Sequence, residues 1–443
     1  MKNPRPCSLL STALLAAIMV LYLPGTASAL DYEPKPTNSY FAKFNPRQAP
    51  APGPLLLKEG DKLAIIGDSI TEQKMYSRII ETYLTACVPE LKITARQFGW
   101  SGETAEGFLR RMTNDCLRFL PTVATLNYGM NDHHYRTFDE ENALWYRQKY
   151  SAVVAGLQDI GARIVLGSPG CVGKVPTWTH SDAYTRDELN ISLLAFRDID
   201  IDIAKDLNTR FADVFWPMYK AGFEAQTRYG TDYNISGKDG VHPGWAGHLI
   251  MAYAYLRAMG LDGDIGTLTV DLSAQTATAT AGHTVESFKD NTLTVTSAKY
   301  PFCAGGETNH DNTIRSGASL VPFFEELSRF RLVVNNATAT NYSVIWGQTT
   351  NTYTSAQLAN GINLAADYVD NPFCDAFKKV DEAVAAKQAY ETKQIKQVFH
   401  SKEAKADMTK AAETTDAERT PLAAAIAAAM VPVRHNIVIQ ALP

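Results

Sequence analysis

Residues 63–71 read Leu-Ala-Ile-Ile-Gly-Asp-Ser-Ile-Thr. The first four form an unbroken apolar run, the mark of a strand covered on both faces, as in a parallel sheet. Gly67 ends the run. Met75, Ile79, Ile80 and Tyr83 then recur at helical spacing. Ser69 therefore falls at the carboxyl end of a strand, close to a helix N-terminus. Open α/β sheets gather ligands at that edge, and a helix N-terminus favours developing negative charge. Asp68, Ser69 and Thr71 are also good helix caps, so this stretch alone reads equally well as a cap.

Working outward, strand-like and helix-like segments alternate from 61 to 258. Val123–Tyr128, Ala162–Gly167 and Phe211–Phe215 read as further buried strands, with helical patterns at 141–159 and 183–208. Such alternation predicts a three-layer α/β domain, a flavodoxin-like parallel sheet with helices on both faces, over 59–260. Residues 30–58 carry six prolines and read as an exposed, irregular lead-in. After Gly260 the texture changes. Thr267–Leu272, Thr292–Ser297, Phe330–Val334 and Tyr342–Trp346 alternate in the manner of strands. They predict a small antiparallel, sandwich-like β-domain over 261–373. Tyr342 and Trp346 read better as its core than as a sugar platform. Residues 374–443 are a helical segment rich in Ala, Lys and Glu, expected to be a surface helix pair. His435–Gln440 is a terminal strand returning to the β-domain.

Three more motifs lie within the α/β region: Gly99-Trp100-Ser101-Gly102-Glu103-Thr104, Gly129-Met130-Asn131-Asp132 and Asp239-Gly240-Val241-His242-Pro243. A serine hydroxyl becomes a nucleophile when a base takes its proton. Asp239 and His242 lie three apart in a Gly- and Pro-containing loop, where one turn presents both side chains. Asn131 leaves a strand and can aim an amide into the same crevice. Gly102, lacking Cβ, lets its backbone N–H approach a ligand. Taken singly, each is as ordinary as a turn glycine, an Asx-turn or a capping histidine.

In this order the four motifs resemble the sequence blocks of the SGNH (GDSL) hydrolases. The resemblance covers about residues 60 to 258. It implies Ser69 as nucleophile, His242 as general base and Asp239 as its orienting partner. It also implies an oxyanion hole from the N–H groups of Ser69 and Gly102 and the side chain of Asn131. Ile70-Thr71 replaces the Leu-Ser common in the first block, and Met130 stands where a glycine is frequent; neither change removes a catalytic group. The implied activity is carboxylic ester hydrolysis without cofactor or metal. The chain carries no Gly-x-Ser-x-Gly elbow, no His-Glu-x-x-His, no Walker loop and no paired Cys-x-x-Cys.

Composition bounds the rest. The 443 residues are 45% hydrophobic and 20% charged, ordinary for a globular protein. Lys2 and Arg5 precede an apolar stretch from Leu9 to Leu23, and Ala27-Ser28-Ala29 follows as a small-residue cleavage site. Residues 1–29 therefore read as a secretory signal peptide cleaved near Ala29. The expected destination is secreted or periplasmic, without stable membrane insertion. Two of the 42 basic residues lie in that leader, leaving 40 against 47 acidic. That balance argues against nucleic acid as a partner. Export permits disulfides. Cys303 with Cys374 is the first expectation, Cys87 with Cys116 the second, and Cys171 the odd thiol.

The expected substrate is a small-molecule or glycan ester, most simply an O-acetylated carbohydrate. Trp100 and His133 are the candidate substrate contacts near the oxyanion residues, with His134 beside them. The alternatives are a lipase or lysophospholipase acting on acyl lipids, an acyltransferase, and a glycan-binding module without activity. Nothing in the sequence sets the oligomeric state.

Overall fold

The structure, a computed structural model, describes residues 31–179 and 183–443. The leader read at 1–29 lies outside them. The first half alternates strands and helices in chain order: β1 (Lys62–Gly67), α1 (Ser69–Glu72), α2 (Tyr76–Ala86), β2 (Thr94–Gln97), α3 (Ala105–Asp115), β3 (Val123–Asn127), α4 (Glu140–Gln158), β4 (Arg163–Gly167), α5 (Arg186–Asp206), β5 (Arg210–Ala212), α6 (Phe215–Tyr229) and α7 (Trp245–Ala258). The five strands form one sheet in the order β2-β1-β3-β4-β5, every neighbouring pair parallel. This is the flavodoxin-like order, whose topological switch point lies between β1 and β3.

Strand alternation divides the core between the two faces of the sheet. Leu63, Ile65, Val123 and Val165 pack on one face. Ala64, Ile66, Leu126, Ile164 and Leu166 pack on the other. This is why Leu63–Ile66 of β1 shows no polar position in sequence. The fourth predicted strand is shorter than its apolar run, because Val214 and Phe215 already open α6. The lead-in is irregular but not wholly exposed. Phe41 and Phe44 are buried against Trp216 and Tyr219 of α6, so it straps the domain.

The second half holds β6 (Asp264–Asp271), β7 (Thr276–Ala279), β8 (His283–Lys289), β9 (Thr292–Ser297), α8 (Ile314–Ser319), α9 (Phe323–Leu327), β10 (Arg329–Asn335), β11 (Asn341–Trp346), β12 (Thr349–Thr354), α10 (Ser355–Asn360), β13 (Ile362–Asn363) and α11 (Leu364–Asp367). It ends with α12 (Cys374–Lys393), a π-helical turn (Gln394–Phe399), α13 (Lys402–Ala406), α14 (Met408–Ala429) and β14 (Val433–Ala441). One sheet runs β13-β10-β6-β7 and the other β12-β11-β14-β9-β8. Their inner faces meet where Phe330 of β10 lies 5.8 Å from Trp346 of β11 and 4.9 Å from His283 of β8. Tyr342 and Trp346 are buried core.

Three features depart from the sequence reading. The β-domain is not purely antiparallel, because β6 and β10 pair in parallel. Four short helices interrupt it. The terminal strand β14 returns to this domain, between β11 and β9. The helical segment is more than a surface pair, because α12 docks on α2 and β2 through buried polar groups. Lys387 there lies between Glu81 and Glu391, and all three are buried.

All five cysteines among the described residues carry free thiols. Cys87 and Cys116 lie in the cores on opposite faces of the sheet, which precludes the second expected pairing. Cys303 and Cys374 are neighbours in hydrogen-bond contact but unbonded.

Candidate active site

Asp68 follows β1 directly and caps α1, its Oδ1 accepting from the Ile70 N–H at 2.9 Å. Ser69 is the first residue of that short helix. The loop before α7 supplies two further groups. His242 Nε2 lies 2.8 Å from Ser69 Oγ, and His242 Nδ1 lies 2.7 Å from Asp239 Oδ2. Asp239 Oδ1 also accepts from the N–H groups of Val241 and His242, both at 2.9 Å. Burial pushes the Asp239 carboxyl up, but the backbone donors of His242 and Val241 and the imidazole outweigh it and hold it below the usual carboxylate range. The tight loop depends on Gly237. It has φ +79°, and a Cβ there would lie 1.7 Å from the His242 carbonyl oxygen.

Asn131 leaves β3 across the switch point. Its Nδ2 donates to the Glu103 carbonyl at 3.0 Å and approaches Asp68 Oδ2 at 3.4 Å, while Tyr135 Oη donates to its Oδ1. An amide nitrogen has two protons; one is held by the Glu103 carbonyl, and the other makes the long contact to Asp68, the weaker of the two. Gly102 lies in the turn closed by the Glu103 N–H on the Trp100 carbonyl at 3.2 Å, with φ +73°. The five residues implied by the motifs thus gather at the carboxyl edge of β1 and β3. A hydroxyl–imidazole–carboxylate chain of this geometry can pass the serine proton to the imidazole.

The two candidate substrate contacts fare differently. His133 is fully buried, its Nδ1 2.5 Å from the Met130 carbonyl oxygen, and burial pulls its pKa down to about 4. It cannot reach a substrate. His134 packs its ring beside Trp145, 6.0 Å away. Trp100 is half-buried among cations: Arg111 and Lys396 lie 5.1 and 5.2 Å from its ring, with His400 at 4.9 Å. Its ring packs against the C-terminal segment.

Sequence reasoning missed three contributors. Trp178 is 50% exposed and its ring lies 5.9 Å from that of His242. The available signal was an aromatic in a Pro-containing loop following β4, at the ligand-gathering edge. The second is the segment Asn309–Asn312 of the β-domain. It joins Asp232, Lys238 and His242 in lining an open cleft of about 660 Å³. Asp311 Oδ2 accepts from the Asn234 N–H and its carbonyl from the Ala246 N–H, while Asn312 Oδ1 accepts from the Trp245 N–H. Asn312 thereby caps α7, whose own cap residue, Gly244, has no side chain to do so. The third is the pair Glu72 and Lys396. No local pattern marks the last two, since their partners are remote in sequence. Among the described residues no group of three or more His, Cys, Asp or Glu side chains is arranged to hold a metal.

Residues 65–250 match the GDSL-like lipase/acylhydrolase family. The hydrolase domain belongs to that family. The GDSL-like domain makes the protein a carboxylic ester hydrolase. Over 229 residues it is 25% identical to an acetylxylan esterase of Geobacillus stearothermophilus, covering 46% of this chain and 95% of that one. A crystal structure of that enzyme gives a TM-score of 0.39 at 23% identity, over 47% of this chain and 97% of the other. A gut microbial diltiazem-metabolizing enzyme superposes over 89% of this chain and all of its own, with a TM-score of 0.70 at 20% identity. This likeness of fold extends through the C-terminal sheets and helices that the GDSL-like domain lacks.

Proposed function

We propose that the protein is a secreted serine esterase that removes O-acetyl groups from carbohydrate. The observation that carries the chemistry is the chain Ser69 Oγ–His242–Asp239, with contacts of 2.8 and 2.7 Å. His242 Nε2 takes the Ser69 proton as the oxygen attacks the ester carbonyl. Asp239 fixes the imidazole with its proton on Nδ1 and stabilises the imidazolium. The N–H groups of Ser69 and Gly102 and the amide of Asn131 receive the oxyanion, each such donor supplying roughly 3 kcal/mol. The alcohol departs with the proton from His242. Water activated by the same imidazole then releases the acyl group.

Three observations support a carbohydrate ester. The cleft beside His242 is lined by polar side chains such as Asp232, Lys238 and His310, which suits a hydroxyl-rich alcohol better than an acyl lipid. Trp178 offers an exposed ring next to the base, of the kind that stacks on sugars. The curated relative is an acetylxylan esterase. Export rests on the leader motif at 1–29, and a mature N-terminus just after Ala29, read by mass spectrometry, would support it.

The test compares p-nitrophenyl acetate, butyrate and a long-chain ester with acetylated xylo-oligosaccharide, using the wild-type protein beside Ser69→Ala. The expected result is acetyl release from both the aryl ester and the oligosaccharide, lost in Ser69→Ala with folding intact. Preference for the long chain would keep the mechanism and move the substrate to lipids. Activity retained by Ser69→Ala would overturn the mechanism itself.

A further inference from the structure

The turn that carries Gly102 is held from the other end of the chain. Glu72, the last residue of α1, accepts from the Ser101 N–H at 2.5 Å and from the Ser101 hydroxyl at 2.6 Å. Lys396 Nζ lies 2.8 Å from both Glu72 carboxylate oxygens. Both side chains of this ion pair are largely shielded, Lys396 28% and Glu72 19% exposed. Lys396 belongs to the π-helical turn Gln394–Phe399, a distortion frequently found at functional sites. It also lies over the Trp100 ring. A remote segment thus grips both sides of the turn.

The consequence follows from turn geometry. In the four-residue turn Trp100–Glu103, the Gly102 N–H belongs to the central peptide. The two common turn types differ by a flip of that peptide, and positive φ at the third residue, as at Gly102, marks one of them. The flip reverses the direction of the Gly102 N–H. An exposed turn with open space around its glycine has little else to choose between the two. Glu72 holds Ser101 by its N–H and its hydroxyl at once, which anchors the residue that opens the central peptide and so fixes the frame from which the Gly102 N–H points.

We infer that Lys396 is a positioning residue for ester hydrolysis: through Glu72 and Ser101 it locks the turn that aims the Gly102 N–H. The inference rests on the proposed oxyanion role of Gly102. The helical segment is then part of the catalytic apparatus, although it lies outside the GDSL-like domain.

The test is steady-state kinetics on p-nitrophenyl acetate with Lys396→Met, Lys396→Arg and Glu72→Gln. Removing an oxyanion donor outright costs about 10²- to 10³-fold in kcat, so loosening one should cost Lys396→Met roughly 10- to 100-fold. KM should stay within about twofold, because the ground-state ester needs the donor little. Lys396→Arg should restore most of the rate. Glu72→Gln keeps an acceptor for Ser101 but loses the ion pair, and should fall in the same direction. A Lys396→Met enzyme with wild-type kcat, or losses in both variants that track lost folded protein, would overturn the inference. Should Lys396→Met not fold, Glu72→Gln decides alone. Full activity in Ser69→Ala would sink the underlying mechanism. An inactive Ser69→Ala beside a fully active Lys396→Met would sink only the clamp.

Discussion

His242 and His248 differ in what surrounds their two ring nitrogens. His242 faces a carboxylate on one side and a hydroxyl on the other, in a half-open loop. His248 is fully buried in α7. Its Nδ1 accepts from the Tyr76 N–H at 3.2 Å, and its Nε2 donates to Gln73 Oε1 at 3.0 Å. A backbone N–H can only donate, so this arrangement holds only for the neutral ring. Burial first, and then the nearby His242, pull its pKa down to about 3. The unfolded chain binds a proton there below about pH 6.5, while the folded protein does not until about pH 3. The contribution of His248 to stability is therefore complete above pH 6.5 and is lost as pH falls through that window. Melting temperatures of wild type and His248→Asn should converge as pH falls from 7.5 to 5. A gap independent of pH would contradict this account.

Gly102 sits in a backbone conformation that favours glycine. Its φ of +73° costs a side-chain-bearing residue about 1–2 kcal/mol, although a Cβ would meet nothing. Gly102→Ala should therefore lower kcat roughly tenfold through the turn and leave the melting temperature almost unchanged. A large fall in melting temperature would mean the turn supports the fold, not the oxyanion.

Among the elements, β2 explains why the helical segment exists. It is the edge strand of the parallel sheet, and exposed edges invite pairing with other chains. Here side chains occupy the edge. Lys387 Nζ and Arg419 Nη2 both donate to the Ala95 carbonyl, at 2.6 and 2.8 Å. The Gln97 N–H donates to Glu391 Oε2 at 3.1 Å. The charges that do this are themselves paired: Lys387 with Glu81 and Glu391, and Arg419 with Glu391. Lys387→Met would leave Glu81 without its cation and Glu391 with Arg419 alone. Removing one partner of a buried pair typically costs about 3–5 kcal/mol. Denaturant unfolding of Lys387→Met should show a loss of that order. A loss below about 1 kcal/mol would mean that the network is solvated.

At the scale of the whole molecule, the chain ends in the middle of a sheet. β14 lies between β9 and β11, so deleting residues 433–443 would open two new edges and expose Val295 and Val344. The shortened protein is expected to aggregate, as measured by size-exclusion chromatography beside the full chain. A monomeric, fully active product would refute this. The same closure connects the halves. The Asn309–Asn312 segment caps α7, and Lys396 reaches Glu72, so the catalytic domain is completed from both C-terminal parts.

The sequence by itself determined the parallel sheet, the position of Ser69 at its carboxyl edge, and the pairing of Asp239 with His242. These are local matters: an apolar run of strand length, a glycine that stops it, and two side chains presented by one short turn. It marked most strands of the β-domain for the same reason, since alternation is a property of neighbours in the chain. What only the tertiary structure decided depends on groups far apart in sequence. β2 carries a polar sequence because helices satisfy its edge. β6 and β10 pair in parallel across three intervening strands and two helices, a partnership that no local pattern marks. His133 looked like a cleft residue because burial is invisible to a motif. Lys396 and Glu72 lie 324 residues apart, and no periodicity spans such a distance. Their meeting is a consequence of packing α12 against the edge of the sheet, and it places a charge from the end of the chain beside the chemistry at its beginning.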